Sequence, residues 1–291
     1  MDYIVQLTIF VLIWGMLAAS LNLYVGYTGV ISVAHAALFG VGAYASSAIS
    51  IRVGGPFVIS IAAAVLIGAA FGALLATPLL RIKGDAQVIV SLAFQGLLFS
   101  LFNNIEVVTG GPSGLAGIPR VTALGSSADL ITLIVVATAF SISITALHRV
   151  VTSPVGRILV AIREDEKLAL SLGKNVMRRK LEVSAIAGAI AGAAGSLYAQ
   201  YVGFIDPTQF DLNESFSILC IVIIGGAGSF YGPLVGAAFI VLLPQLLLFV
   251  GLTTAHAANW RQVIFGMAIT GLMIFRPQGV LGNYEFRGRG S

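Results

Sequence analysis

From residue 4 to residue 275 the chain returns again and again to apolar runs of about twenty residues, parted by short polar breaks. A helix of that length rises roughly 30 Å, the thickness of a bilayer's hydrocarbon core. Inside lipid every backbone N–H and C=O must be satisfied by the protein itself, which restricts spanning elements to helices and closed barrels. Each run is read as a helical span. Spans are expected near residues 4–25, 34–51, 57–80, 86–108, 130–147, 181–202, 215–226, 233–250 and 260–275. The expected fold is all-α and integral to the membrane, a single transmembrane domain over residues 1–291 with eight or nine spans. Only 10% of the residues are charged, against about 25% in soluble domains, so no soluble domain of useful size fits. The first residues carry no basic stretch, and a retained span is expected there in place of a cleaved signal.

The net charge of +4 does not point to nucleic acid, because the basic residues sit in short loops beside spans. Place the polar stretch 153–180 in the cytoplasm and let the chain alternate. Arg81, Lys83, Arg149, Arg157, Arg163, Lys167, Lys174, Arg178, Arg179, Lys180, Arg276, Arg287 and Arg289 then lie inside. Arg52, Arg120 and Arg261 lie outside, with Asp2, Glu106, Asp129, Asp206, Asp211 and Glu214. That bias follows the positive-inside rule and puts the N-terminus outside and the C-terminus inside.

Two segments are broken by glycine, residues 26–33 early and residues 225–232 late. Paired interruptions of this kind are the mark of inverted-repeat transporters, and broken backbone survives in a membrane only against protein or a water-filled cavity. Both segments are therefore expected near a path through the molecule. The pairs Gly68/Gly72, Gly188/Gly192 and Gly232/Gly236 have the small-xxx-small spacing of closely packed spans. The run Gly225-Gly226-Ala227-Gly228 suits either a broken helix or a packing site.

Span interiors hold almost no ionisable residues, although ion-coupled carriers use such groups as relays. His35 is the exception, and a hydrogen-bonded structural histidine is the expected reading. Asn22, Ser32, His35 and Gln95 are the polar candidates for a substrate path, with Gly26, Gly225, Gly226 and Gly228 at the breaks. Each polar one is expected first as a bond between helices and second as a substrate contact. No nucleotide loop is present: Gly173-Lys174 is followed by Asn175, and GGAGSFYG does not meet the dinucleotide spacing. His35, His148 and His256 are far apart, so no metal site is expected. Cys220 stands alone, which excludes a disulfide within the chain. No cofactor is expected on this chain. It reads as a pathway without an engine, and uphill transport would need a partner.

The stretch SPVGRILVAIREDEKLALSLGKNVMRRK, residues 153–180, is where a partner would attach. Ser153 can cap a helix and Pro154 suits its first position. Val155, Ile158, Leu159 and Ile162 make an apolar stripe, a mixed-charge block follows, and Gly173 supplies a stop. A lipid-surface anchor would be basic and would lack the triplet Glu164-Asp165-Glu166, so a protein surface is the expected contact. Glu166, Ala169 and Gly173 are spaced i, i+3, i+7 and would share one face, two of them small enough for close approach. Arg163, Glu164 and Asp165 would fix its register through charge-assisted contacts.

The run GRILVAIREDEKLALSLGKN resembles the coupling segment of ABC importer permeases, with Glu166, Ala169 and Gly173 on the E-x-x-A-x-x-x-G core. With VGYTGVISVAHAALFGVGAY, TGGPSGLAGIP and IIGGAGSFYGPLVGA, nearly the whole chain resembles LivM-type permeases of branched-chain amino acid importers. The basic cluster departs from that pattern, running into Lys180-Leu181-Glu182-Val183 where an aromatic entry to the span is expected. The resemblance implies a non-catalytic subunit of the cell (inner) membrane. It implies a heterodimer with a LivH-type permease, two ATPase subunits that bind ATP and magnesium, and a periplasmic binding protein. It gives Arg157, Arg163, Glu164, Asp165, Glu166, Ala169 and Gly173 the coupling role. A permease of the same architecture for urea, short amides or other small polar solutes, and a stand-alone secondary transporter, are the alternatives. A membrane enzyme is disfavoured, since no catalytic cluster is found.

Overall fold

A computed structural model of the chain describes residues 2–82, 84, 86–120 and 128–249, with 263, 264, 266, 267, 270, 271 and 279–281. Five described helices are long and apolar enough to cross a membrane. They are α1 (Asp2–Thr28), α3 (Phe57–Leu79), α4 (Ala86–Asn104), α6 (Ala128–Thr152) and α9 (Val176–Val202). The expected spans at 34–51, 215–226 and 233–250 correspond to shorter helices, α2 (His35–Arg52), α10 (Leu212–Gly225) and α11 (Gly232–Phe249). Most of the span expected at 260–275 lies outside the described residues, as do Arg261, Arg276, Pro277, Lys83, Arg287 and Arg289.

Several expected boundaries move, each for a local reason. The span expected to reach residue 108 stops at Asn104, where Ile105 leaves helical geometry; α5 (Glu106–Thr109) follows and Gly110 closes it in the left-handed region. Thr109 Oγ1 donates to the carbonyls of Phe102 and Ile105 and holds that reversal together. The span expected at 181 begins at Val176, because Asn175 accepts from the N–H of Arg178 and caps it. Arg178 and Arg179 both pair with Glu182 at 2.8 Å, so the basic cluster is the first turns of α9 and not a loop. The all-helical expectation needs one amendment: β1 (Leu115–Ala116) and β2 (Phe204–Ile205) form a two-stranded antiparallel pair at the end of the bundle where α9 finishes.

α9 is the central post, packed on α2 and α3. The small-residue spacing is realised as backbone contact. A Cβ on Gly68 would lie 2.4 Å from the Gly188 carbonyl oxygen, and one on Gly42 would lie 2.2 Å from Gly192. The same holds for Gly236, whose Cβ would sit 2.2 Å from the Ile221 oxygen between α10 and α11. Around this post Phe39, Tyr44, Phe102 and Phe210 meet in tilted and edge-on pairs 4.8 to 6.2 Å apart.

Candidate functional site

The polar stretch folds as two short helices, not one. α7 (Pro154–Glu164) is capped by Ser153, whose Oγ accepts from Val155 N and donates to Val150 O. It turns back so sharply beneath α6 that a Cβ on Gly156 would fall 1.9 Å from the Val151 oxygen. Asp165 is extended and ends α7; its carboxylate accepts from Lys167 N and Leu168 N and so caps α8 (Glu166–Ser171). Gly173 then adopts a φ of +72°, which a glycine tolerates without strain.

This geometry corrects the shared face expected for Glu166, Ala169 and Gly173. Ala169 is buried against Ile162 and Val176 of its own chain, so its small size serves internal packing. Glu166 reaches back to Lys180 at 3.3 Å, and Gly173 is exposed beyond the end of α8. Asp165 is an N-cap, not a free register contact, because the break between the helices leaves α8's first N–H groups to be satisfied. Arg157 and Glu164 do face outward. Outward too are Leu168, Leu170, Leu172 and Met177, between 49% and 66% exposed, which sequence reasoning passed over. The sequence held no signal for them, since its spacing put Ala169 on the partner face; it is the burial of Ala169 that leaves Leu168 and Leu170 outside the core.

Arg163 turns into the molecule. Its guanidinium donates from Nη1 to the Gly26 carbonyl at 2.7 Å and pairs with Glu164 at 2.8 Å, and its stem lies against Gly29. Gly26 is in the last turn of α1, where carbonyls have no partner within the helix, so a cation there is favoured. The same glycine bears on the late break: a Cβ on it would lie 2.4 Å from Gly228 N. Asn22 closes the junction, accepting from Gly228 N and donating to Ser229 O, both at 2.8 Å. Gly226 and Gly228 take positive φ as the chain passes from α10 to α11, and Gly225 meets Gly232 backbone to backbone. Val280 N and Leu281 N bond to Ile224 O and Gly225 O, the carbonyls freed at the end of α10. Thus Asn22, Gly26, Gly225, Gly226 and Gly228 come together, and Arg163 joins them to the α7–α8 unit.

Ser32, His35 and Gln95 form a second group, around the start of α2. Buried between helices, α2 exposes N–H groups with no helical partner. Ser91 Oγ takes Val33 N at 3.1 Å, Ser215 Oγ takes Ala36 N at 3.1 Å, and Gln95 Oε1 takes Ala37 N at 3.0 Å. Ser32 Oγ accepts from Ala34 N. Gln95 also donates to Phe210 O at 2.7 Å and accepts from Ser215 Oγ. His35 Nε2 lies 2.7 Å from Ser20 Oγ, whose own proton goes to Leu17 O, so the network assigns the donor role to Nε2.

The sequence profile of the family described as "Branched-chain amino acid transport system / permease component" matches residues 3–275. The chain belongs to that permease family. It is similar to the high-affinity branched-chain amino acid transport system permease protein LivM of Escherichia coli strain K12, 32% identical over 95% of this chain and 69% of that one. LivM of Salmonella typhimurium strain LT2 is 31% identical over the same shares. LivH of Escherichia coli strain K12 is 24% identical over 94% of this chain and 92% of its own. No solved structure matches.

In this permease the Gln95 cluster gives a direct prediction. Gln95→Leu leaves Ala37 N–H and Phe210 C=O buried without partners, at about 1–3 kcal/mol for each. The purified variant is expected to unfold at a clearly lower temperature in detergent, while Gln87→Leu, at the half-exposed start of α4 where water can replace its bonds to Leu79 O and Ile82 O, lowers it less.

Proposed function

We propose that the chain is the transmembrane permease subunit of an ATP-driven importer, forming part of the path for branched-chain or related amino acids. The family match and the two LivM relatives support the substrate class. The observation that carries the mechanism is the contact of Arg163 with Gly26, because it ties the α7–α8 unit to the meeting point of the two helix breaks. A shift of α7–α8 would pull on the end of α1 and, through Asn22 and Gly26, on the turn that contains Gly228.

In this reading α7–α8 faces the cytoplasm, the N-terminus faces the periplasm and the C-terminus the cytoplasm. An ATPase subunit covers the exposed Leu168, Leu170, Leu172 and Met177. Apolar area of this kind supplies affinity, and the flanking Arg157, Glu164 and Lys167 set register. A LivH-type permease completes the path, two ATPases hydrolyse ATP, and a periplasmic protein delivers the amino acid. The test is purification in mild detergent from cells expressing the neighbouring subunits. Copurified ATPase and second permease, with ATP hydrolysis raised by a leucine-loaded binding protein, is the expected result. Uphill uptake by the chain alone in sealed vesicles would refute the proposal.

A further inference from the structure

At the end of the bundle opposite α7–α8 lies a half-open cavity of about 310 Å³, between the first turns of α1 and α6 and the last turn of α9. Its volume is at the lower bound for small-molecule sites. Arg120 and Asp129 are both in the wall, with Gln6 and Gln200 beside them and Phe10 and Tyr201 as an aromatic surface. The two rings meet edge to face at 5.4 Å, which fixes that surface.

The charges are placed but not spent on each other. Neither Arg120 nor Asp129 has an ion-pair partner among the described residues. Both line the same cavity as Tyr201. Arg120 is held over the end of α9, its Nη2 3.4 Å from the Val202 oxygen and its Nε 3.3 Å from where a Cβ on Gly203 would be. Gly203 has a φ of +79° and ends α9, so a bare backbone is the platform on which the guanidinium lies. Asp129 sits in the first turn of α6. Helix ends explain why each charge is tolerated there. They do not explain why a guanidinium and a carboxylate that do not pair with each other share one small cavity with an aromatic wall and two amides.

We propose that this cavity is an entry site for an α-amino acid zwitterion with an apolar side chain. Arg120 takes the carboxylate, Asp129 takes the ammonium, and Phe10 and Tyr201 take the aliphatic side chain. Gln6 and Gln200 satisfy the remaining donors and acceptors. The proposal rests on the importer reading, and deepens it by giving this chain a binding step of its own on the delivery side. A guanidinium suits a carboxylate through paired N–H donors, and selectivity follows because removing either charge of the ligand loses one charge-assisted contact.

The test is equilibrium binding of radiolabelled L-leucine to the nucleotide-free complete importer in detergent, without the binding protein. Competitors are leucinamide, which lacks the carboxylate, and 4-methylpentanoate, which lacks the ammonium. L-leucine is expected to compete at least tenfold better than either. Arg120→Gln is expected to weaken leucine at least tenfold while leaving leucinamide unchanged, and Asp129→Asn to do the converse with 4-methylpentanoate. Both variants must keep the wild-type melting temperature and copurify with the partner subunits, and the parent complex must hydrolyse ATP when the loaded binding protein is added. Those controls separate loss of this site from failure of the importer reading. No leucine binding up to millimolar concentration, equal competition by all three compounds, or unchanged leucine affinity in both variants would overturn the proposal. If either variant fails the controls, Gln200→Ala with the competitor series decides, and unchanged ranking and affinity there would overturn it too.

Discussion

Gly188→Leu is expected to yield no monodisperse protein in detergent, whereas Gly96→Leu is expected to purify and melt like the parent. Both glycines lie in apolar helices of the same membrane protein. They differ in what a side chain would meet. A Cβ on Gly188 would be 2.3 Å from the Gly68 oxygen and 2.9 Å from the Gly72 Cα; around Gly96 there is nothing within 4 Å. The obstacle at Gly188 is backbone, so no rotamer change relieves it. α3 and α9 would have to separate, and with them the Ser184 hydroxyl bond to the Gly72 carbonyl at 2.6 Å. In lipid, helix association depends on this close packing, because the tails are as apolar as the side chains. Overpacking by a single methylene costs about 1–3 kcal/mol. A leucine here would exceed that several times over, against a total stability of roughly 5–15 kcal/mol. Fluorescence-detected size exclusion and thermal unfolding of the two variants check the contrast. Normal elution of Gly188→Leu would mean that the α3–α9 contact is not tight.

Sequence periodicity was enough for the long apolar helices among the described residues and for the glycine pairs, because both follow from local spacing. The pairs 68/72 and 188/192 sit face to face across one interface, as small-residue spacing requires. Ser153, Pro154 and Gly173 act at the positions where cap and stop chemistry put them. Legibility failed where a residue had two competing uses and only tertiary contact chose between them. Asp165 reads as one more charge in a charged block, yet the chain breaks there and its carboxylate is taken by two N–H groups. Ala169 reads as a small surface residue for a partner, yet the fold turns α8 so that its own core claims that position. Gln95 could be read as polar lining or as a link between helices. The start of α2 decides for bonds within the chain, because its buried N–H groups have no water to turn to. The meeting of residues 22, 26 and 228 was beyond any local rule, since about two hundred residues separate the partners.

That meeting carries the second large effect. Arg163→Met in the complete importer is expected to cut leucine uptake by roughly tenfold or more while ATP hydrolysis stays within about twofold of the parent. Methionine keeps much of the stem that lies on Gly29 and removes the guanidinium that holds the Gly26 carbonyl. A hydrogen bond to a charged group contributes about 1.5–3 kcal/mol, equivalent to roughly 10- to 150-fold in an equilibrium between two positions of the junction. On the proposed docking of an ATPase the loss falls on transmission, since Leu168, Leu170, Leu172 and Met177 remain on the surface. Arg163→Lys should recover part of the uptake, because an ammonium can reach one carbonyl but lacks the planar fork that also pairs with Glu164. A complementary change from the other side, Asn22→Leu, should give the same split, since it frees Gly228 N and Ser229 O while leaving α7 untouched. If uptake and hydrolysis fell together in Arg163→Met, with loss of the copurifying ATPase, Arg163 would be part of the docking surface instead. If both stayed at the parent level, force would have to reach the membrane helices by another route, of which the packing of α7 beneath α6 at Gly156 is the nearest.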